Sequence, residues 1–135
     1  MEKQPLKLKK KLLSSRQRAS KHFQLGQDGE SRAARFLVSS GYEVWEQNLQ
    51  IGRVEVDIVA FDPKNKEIVF VEVKTRSTEF YGSPSGAVNS KKLRNMQRVA
   101  AAYIQAKDLN WEYRFDILAV LPGTIHHYQQ VSWDR

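Results

Sequence analysis

The chain has 135 residues, enough for one domain with a single core and too few for two. It lacks cysteine, which excludes disulfides and thiolate metal sites, and no apolar run approaches the ~18 residues of a membrane span. The formal net charge is +7, yet residues 1 to 21 hold eight of the 22 Lys and Arg and only one of the 15 acids, so the remainder is balanced at fourteen of each.

The excess charge therefore belongs to a tail. Residues 1 to 20 scatter leucines among charges with no capping pattern, as expected of a disordered basic arm. Such an arm can grip phosphates by counterion release or act only as a solubilising leader. The basic start has no apolar stretch behind it of the kind a signal peptide carries, and a soluble cytoplasmic protein is expected. Residues 21 to 135 read as one domain.

From about Gln24, Glu30, Ala33, Ala34 and Leu37 recur at helical spacing until Gly41 ends the run. Glu30 lies on the same stripe as Ala33 and Leu37 and is carried toward the core side; the plainer reading is a glutamate placed to favour the helix dipole. Tyr42 to Asn48 reads as a strand and Leu49 to Arg53 as a connection. Two β-branched runs follow, Val54 to Phe61 and Glu67 to Arg76, flanking Asp62-Pro63-Lys64-Asn65-Lys66, which is the pattern of an antiparallel hairpin. Residues 77 to 90 include Tyr81-Gly82-Ser83-Pro84-Ser85-Gly86, a loop composition that suits either a lid over a site or a plain crossover linker.

A second helix is predicted from Asn89 or Ser90 to about Lys107, with Leu93, Met96, Ala100, Tyr103 and Ile104 as its buried stripe. Lys91, Arg94 and Arg98 form a separate stripe with Lys92 and Gln97 nearby. This cluster is read as phosphate contacts, against the alternative of a solvated basic face. Glu112 to Leu121 alternates as a strand, Pro122-Gly123 turns the chain, and Ile125 to Trp133 reads as a last strand at a sheet edge. His126 and His127 are adjacent in a strand and point to opposite faces, so they are read as surface residues and not a metal pair.

Charges sit inside the hairpin's apolar runs. If Asp62 pairs with Glu67, the two-residue period puts Asp57 opposite Glu72, with Lys74 on the same face and Glu55 beside Asp57. Facing carboxylates repel unless a cation lies between them, and a hard divalent ion such as Mg²⁺ accepts one or two carboxylates together with water and phosphate oxygens. The alternative is a wet strand face with solvated charges. Against it, the carboxylates share their faces with Val59, Phe61, Ile68 and Phe70.

Asp57 followed by Glu72-Val73-Lys74 after a hairpin resembles the signature of the PD-(D/E)XK nuclease superfamily, with Val56 where the superfamily name has proline. Gly26-Gln27-Asp28-Gly29-Glu30, Gly41-Tyr42, Asn48, Glu55-Val56-Asp57, Phe70 to Arg76 and Arg114-Phe115-Asp116 together resemble the YraN-type family of uncharacterised bacterial proteins, similar in fold to archaeal Holliday junction resolvases. The resemblance runs from about Phe23 to Val120. It implies an α/β, restriction-endonuclease-like mixed β-sheet flanked by helices in the order α-β-β-β-α-β-β. It also implies Mg²⁺ or Mn²⁺ at Asp57, Glu72 and Glu30, with the Val73 carbonyl as a further ligand and Lys74 as the catalytic lysine. The expected function is metal-dependent phosphodiester hydrolysis in structured or branched DNA. The expected partners are nucleic acid, DNA ahead of RNA, and a second copy of the chain, with no membrane. A module that keeps this fold to bind nucleic acid without cutting it, or to bind protein, is the competing reading.

Overall fold

A computed structural model describes residues 21–77 and 90–131. The basic arm over residues 1–20, the loop over 78–89 and residues 132–135 lie outside the described residues, and the last strand, expected to run on from Ile125 to Trp133, ends at Tyr128 with 129–131 outside it. Helix α1 (Lys21–Ser39) leads into strands β1 (Glu43–Ile51), β2 (Val54–Asp62) and β3 (Glu67–Thr75). Helix α2 (Ser90–Ala106) and strands β4 (Glu112–Leu121) and β5 (Thr124–Tyr128) complete the order. The five strands form one mixed sheet in the order β1-β2-β3-β4-β5, antiparallel except for the β3–β4 pair, which α2 connects as a crossover.

The parallel pair is the most apolar part of the chain because it is covered on both faces. On one face Leu93, Met96, Val99, Ala100 and Tyr103 of α2 pack against Val59, Phe61, Ile68, Phe70, Phe115 and Ile117. On the other, Ala33 and Leu37 of α1 meet Ile58, Ala60, Val69, Val71, Leu118 and Val120. Each large side chain so buried contributes roughly 1.5–3 kcal/mol, which is what holds two helices whose own propensity is modest.

Both helices end in the same device. Gly41 takes φ +97°, and the Tyr42 and Gly41 amides donate to the carbonyls of Leu37 and Val38 at 2.9 and 3.0 Å, a Schellman closure. Asp108, with φ +53°, does the same for α2 through Leu109 to Ile104 and Asp108 to Gln105. Asp62 folds the hairpin turn: its carboxylate accepts from the Lys64 and Asn65 amides and from the Asn65 side chain. Asp62 pairs with Glu67 in the register read from the sequence.

Other expectations are revised as well. The first strand does not stop at Asn48. That residue adopts φ +56°, the strand continues through buried Leu49 to Ile51, and only Gly52-Arg53 remains as connection. The first helix starts earlier than Gln24, at Lys21. His127 is not a surface residue: its ring packs against Phe36 and Tyr42, and its Nε2 lies 2.7 Å from the buried carboxylate of Asp116, whereas His126 is exposed.

Asp116 belongs to a buried ionic clasp. Arg114 donates to both oxygens of Asp116, to Asp62 at 3.0 Å, to Glu67 at 2.6 Å and to the Tyr42 hydroxyl at 2.7 Å. It thereby ties β4 to the β2–β3 turn and to the end of α1. On the opposite face the Tyr103 hydroxyl donates to buried Glu46 at 3.3 Å, with Lys107 Nζ 3.4 Å from the same oxygen. That contact pins the far end of α2 to edge strand β1.

Candidate active site

β2 and β3 are antiparallel, so the start of β2 and the end of β3 lie at the same end of the sheet, and both helices arrive there. α1 reaches it through Gly29, which is buried: a Cβ added at that position would collide with Thr75 Oγ1 and stand 3.3 and 3.4 Å from Thr75 Cβ and Cγ2. The missing side chain is what lets α1 approach the strand and bring the half-buried Glu30 to that end. Gly29→Ala should therefore destabilise the fold by about 1–2 kcal/mol, although alanine is the better helix former by ~1 kcal/mol. Urea denaturation measures this, and Thr75→Ala in the same chain should return most of the loss. A variant more stable than wild type would mean that the close approach imposes no constraint.

Asp57 breaks the regularity of β2. Val56 and Val59 pack in the same core cluster, so the two-residue alternation is interrupted across Asp57, and the β2–β3 ladder ends at Ile58–Val71. The Asp57 carboxylate accepts the Val73 amide at 2.7 Å. A side chain thus takes the hydrogen bond of the Val73 amide, and it holds Asp57 where the charges of Glu72 and Lys92 reach it.

Glu72 is buried and carries two ammonium groups on one oxygen. Lys74 Nζ lies 3.0 Å from Oε2, and Lys92 of α2 is ion-paired to the same atom. Burial pushes the Asp57 carboxyl up to about 6. The Val73 amide opposes this, the charges of Glu72 and Glu55 add to it, and Lys92 offsets part. A half-buried carboxylate whose ionisation is opposed by burial and by like charges is a place that favours a cation.

The consequence for stability has a definite sign. The folded Asp57 carboxyl holds its proton up to about pH 6, whereas its ordinary value is 3.8. Folding therefore takes up a proton across that window, and the metal-free domain loses stability as pH rises through it. Asp57→Asn keeps the acceptor for Val73 and removes the charge. In chelator at pH 7.5 it should be more stable than wild type by on the order of 1–3 kcal/mol, and the gain should vanish near pH 4. Paired thermal melts at the two pH values check this; an equal difference at both would remove Asp57 as the titrating group.

The other expected site residues fall into two groups. Lys91, Arg94 and Arg98 are exposed along α2, with Gln97 half-buried between them and the core side. Lys92, also expected as a phosphate contact, turns its side chain onto Glu72. The sequence did carry a sign of this: Lys92 stands at i, i+4, i+7 and i+11 with the buried Met96, Val99 and Tyr103, on the stripe facing the sheet. Among the described residues, no three acidic or histidine side chains are grouped closely enough to hold a metal ion, so Glu30 is not assembled with Asp57 and Glu72 into one ligand set. Asp57 and Glu72 do offer the hard oxygen donors that suit Mg²⁺ or Mn²⁺. No helix among the described residues is long and apolar enough to cross a membrane.

Comparison with known proteins agrees with this arrangement of motifs. The profile of "Uncharacterised protein family UPF0102" matches residues 29–120, which span Gly29, Glu30, Asp57, Glu72, Lys74 and Lys92. A UPF0102 protein of Phocaeicola vulgatus is 34% identical over 118 residues, covering 84% of this chain and 96% of the relative. Those of Alkaliphilus metalliredigens and Caldicellulosiruptor saccharolyticus are 42% and 43% identical over 100 and 98 residues, covering 73% and 72% of this chain and 86% and 81% of the relatives. The chain belongs to the UPF0102 family, within the PD-(D/E)XK-like superfamily.

Proposed function

We propose that this protein is a metal-dependent nuclease that hydrolyses phosphodiester bonds in structured or branched DNA. The observation that carries the reading is the convergence of Asp57, Glu72 and Lys74 at one end of the sheet, where buried acid and ammonium are held together by the fold. Asp57 and Glu72 would hold Mg²⁺ or Mn²⁺, with the Val73 carbonyl as a further donor. Such an ion, when bound, lowers the pKa of a coordinated water and neutralises charge on the scissile phosphate. Lys74 supplies an ammonium that can stabilise charge developing on the phosphate or orient the attacking water. The exposed Lys91, Arg94 and Arg98 lie on the helix whose first turn meets Glu72, so DNA phosphates gripped there would run past the site. A homodimer would extend that surface.

A non-cleaving nucleic-acid-binding module is the second reading. It is favoured by Glu72 itself, whose charge is already compensated by two lysines without any metal. One panel separates the two: branched, flapped, single-stranded and duplex DNA incubated with Mg²⁺ or Mn²⁺. Cutting that requires the metal and disappears in Asp57→Asn and Glu72→Gln supports the nuclease. Salt-sensitive binding with no cutting of any substrate leaves the binding module.

A further inference from the structure

Lys74 and Lys92 make the same contact from very different supports. Lys74 projects from the interior strand β3 and its side chain is 16% exposed, so its surroundings restrain it. Lys92 comes from the first turn of α2 and its side chain is 41% exposed at the mouth of the site. Both ammonium groups meet Glu72 Oε2, and the Lys92 charge also acts on Asp57.

An oxygen crowded by two ammonium groups cannot also accept a divalent ion at close range unless one of them leaves. Like charges a few ångströms apart in a half-buried site repel strongly. Lys92 is the one better able to leave, because its more exposed side chain needs only a rotamer change to place its head in water, whereas the less exposed Lys74 has less room to turn away. The rest of α2 need not move: Tyr103 and Lys107 hold its far end on Glu46.

We infer that Lys92 is a resident counter-ion of the metal site: it neutralises Glu72 in the metal-free protein and is displaced when a divalent cation loads. This rests on the nuclease reading only in requiring that Asp57 and Glu72 bind a metal. Lys92 thereby sets the metal concentration at which the site fills, and in the metal-free protein it adds to Lys74 a second positive charge beside Glu72 and Asp57.

The test is Mn²⁺ titration of the full chain, followed by the paramagnetic resonance signal of free Mn²⁺, without any nucleic acid. Lys92→Met keeps the length of the side chain and removes its charge; it should bind Mn²⁺ about tenfold tighter than wild type. Lys92→Arg keeps the charge and the ion pair and should bind no more tightly than wild type. Asp57→Asn marks the site, and its affinity should collapse. Equal Mn²⁺ affinity in wild type and Lys92→Met, with loss in Asp57→Asn, would overturn the role of Lys92 and leave the metal site standing. Tighter binding in Lys92→Arg as well would also overturn it, because the gain would then come from removing the lysine's shape and not its charge. No Mn²⁺ binding by wild type or any variant would overturn both the counter-ion role and the metal site.

Discussion

Arg114→Met is expected to cost about 3–5 kcal/mol of folding stability, a large part of what a domain of this size possesses. The guanidinium is 4% exposed in its side chain and bonds Asp116, Asp62, Glu67 and Tyr42 at once. Methionine fills much of the volume but leaves a fully buried Asp116 carboxylate with, among the described residues, the Gln130 amide and His127 as partners, and it strips Asp62 of one donor. Burial works to raise the Asp62 carboxyl, yet Arg114 and the Asn65 bonds hold it below its ordinary value. That contribution is present at neutral pH and is lost as pH falls through the lowered value in the folded state. The deficit of Arg114→Met should accordingly be largest near pH 7 and shrink toward pH 3. Urea midpoints across that range measure it. A loss below about 1 kcal/mol at pH 7 would show that the clasp is ornamental and that apolar packing alone joins β4 to the hairpin turn.

For turnover, the largest single effect is expected from Lys74→Ala. If the ammonium acts only as charge develops on the phosphate, Mn²⁺ and DNA affinity should stay close to wild type while the single-turnover cleavage rate falls ~10²–10³-fold. Its position allows two other outcomes. As a ground-state phosphate clamp, Lys74 would change DNA affinity and leave the rate of the bound complex intact. As a counter-ion, 3.0 Å from Glu72, it would change stability first. Lys92 shares that second duty, which is why the stability loss in Lys74→Ala should stay small. Cleavage at saturating enzyme, a binding isotherm and a melt on the same variant distinguish the three outcomes.

Local terms in the sequence determined a good deal of this protein. The β2–β3 register follows from Asp62, which closes its own turn with contacts to Lys64 and Asn65, so a few neighbouring residues suffice to pair Asp62 with Glu67. β4 was legible because Glu112 to Leu121 alternates at the two-residue period of a strand, and α2 because Leu93, Met96, Ala100 and Tyr103 repeat at helical spacing. The mixed α/β order followed from those elements taken in sequence.

Contacts between distant segments decided the rest, and no local pattern encodes them. Asn48 reads as a strand end because asparagine favours turns; the burial of Leu49 against α2 carries β1 past it in a left-handed step. His127 reads as exposed because its strand lies at the sheet edge, but the end of α1 covers it and Asp116 binds it. Gly29 could be recognised as part of a motif, while its reason, the side chain of Thr75 pressed against the helix, exists only after α1 docks on β3. Lys92 counted as one more cation in a basic helix until the packing of α2 set it on Glu72, twenty residues away in the chain. Side-chain periods reveal which face a residue takes; only the docking of one element on another settles which charge it meets there.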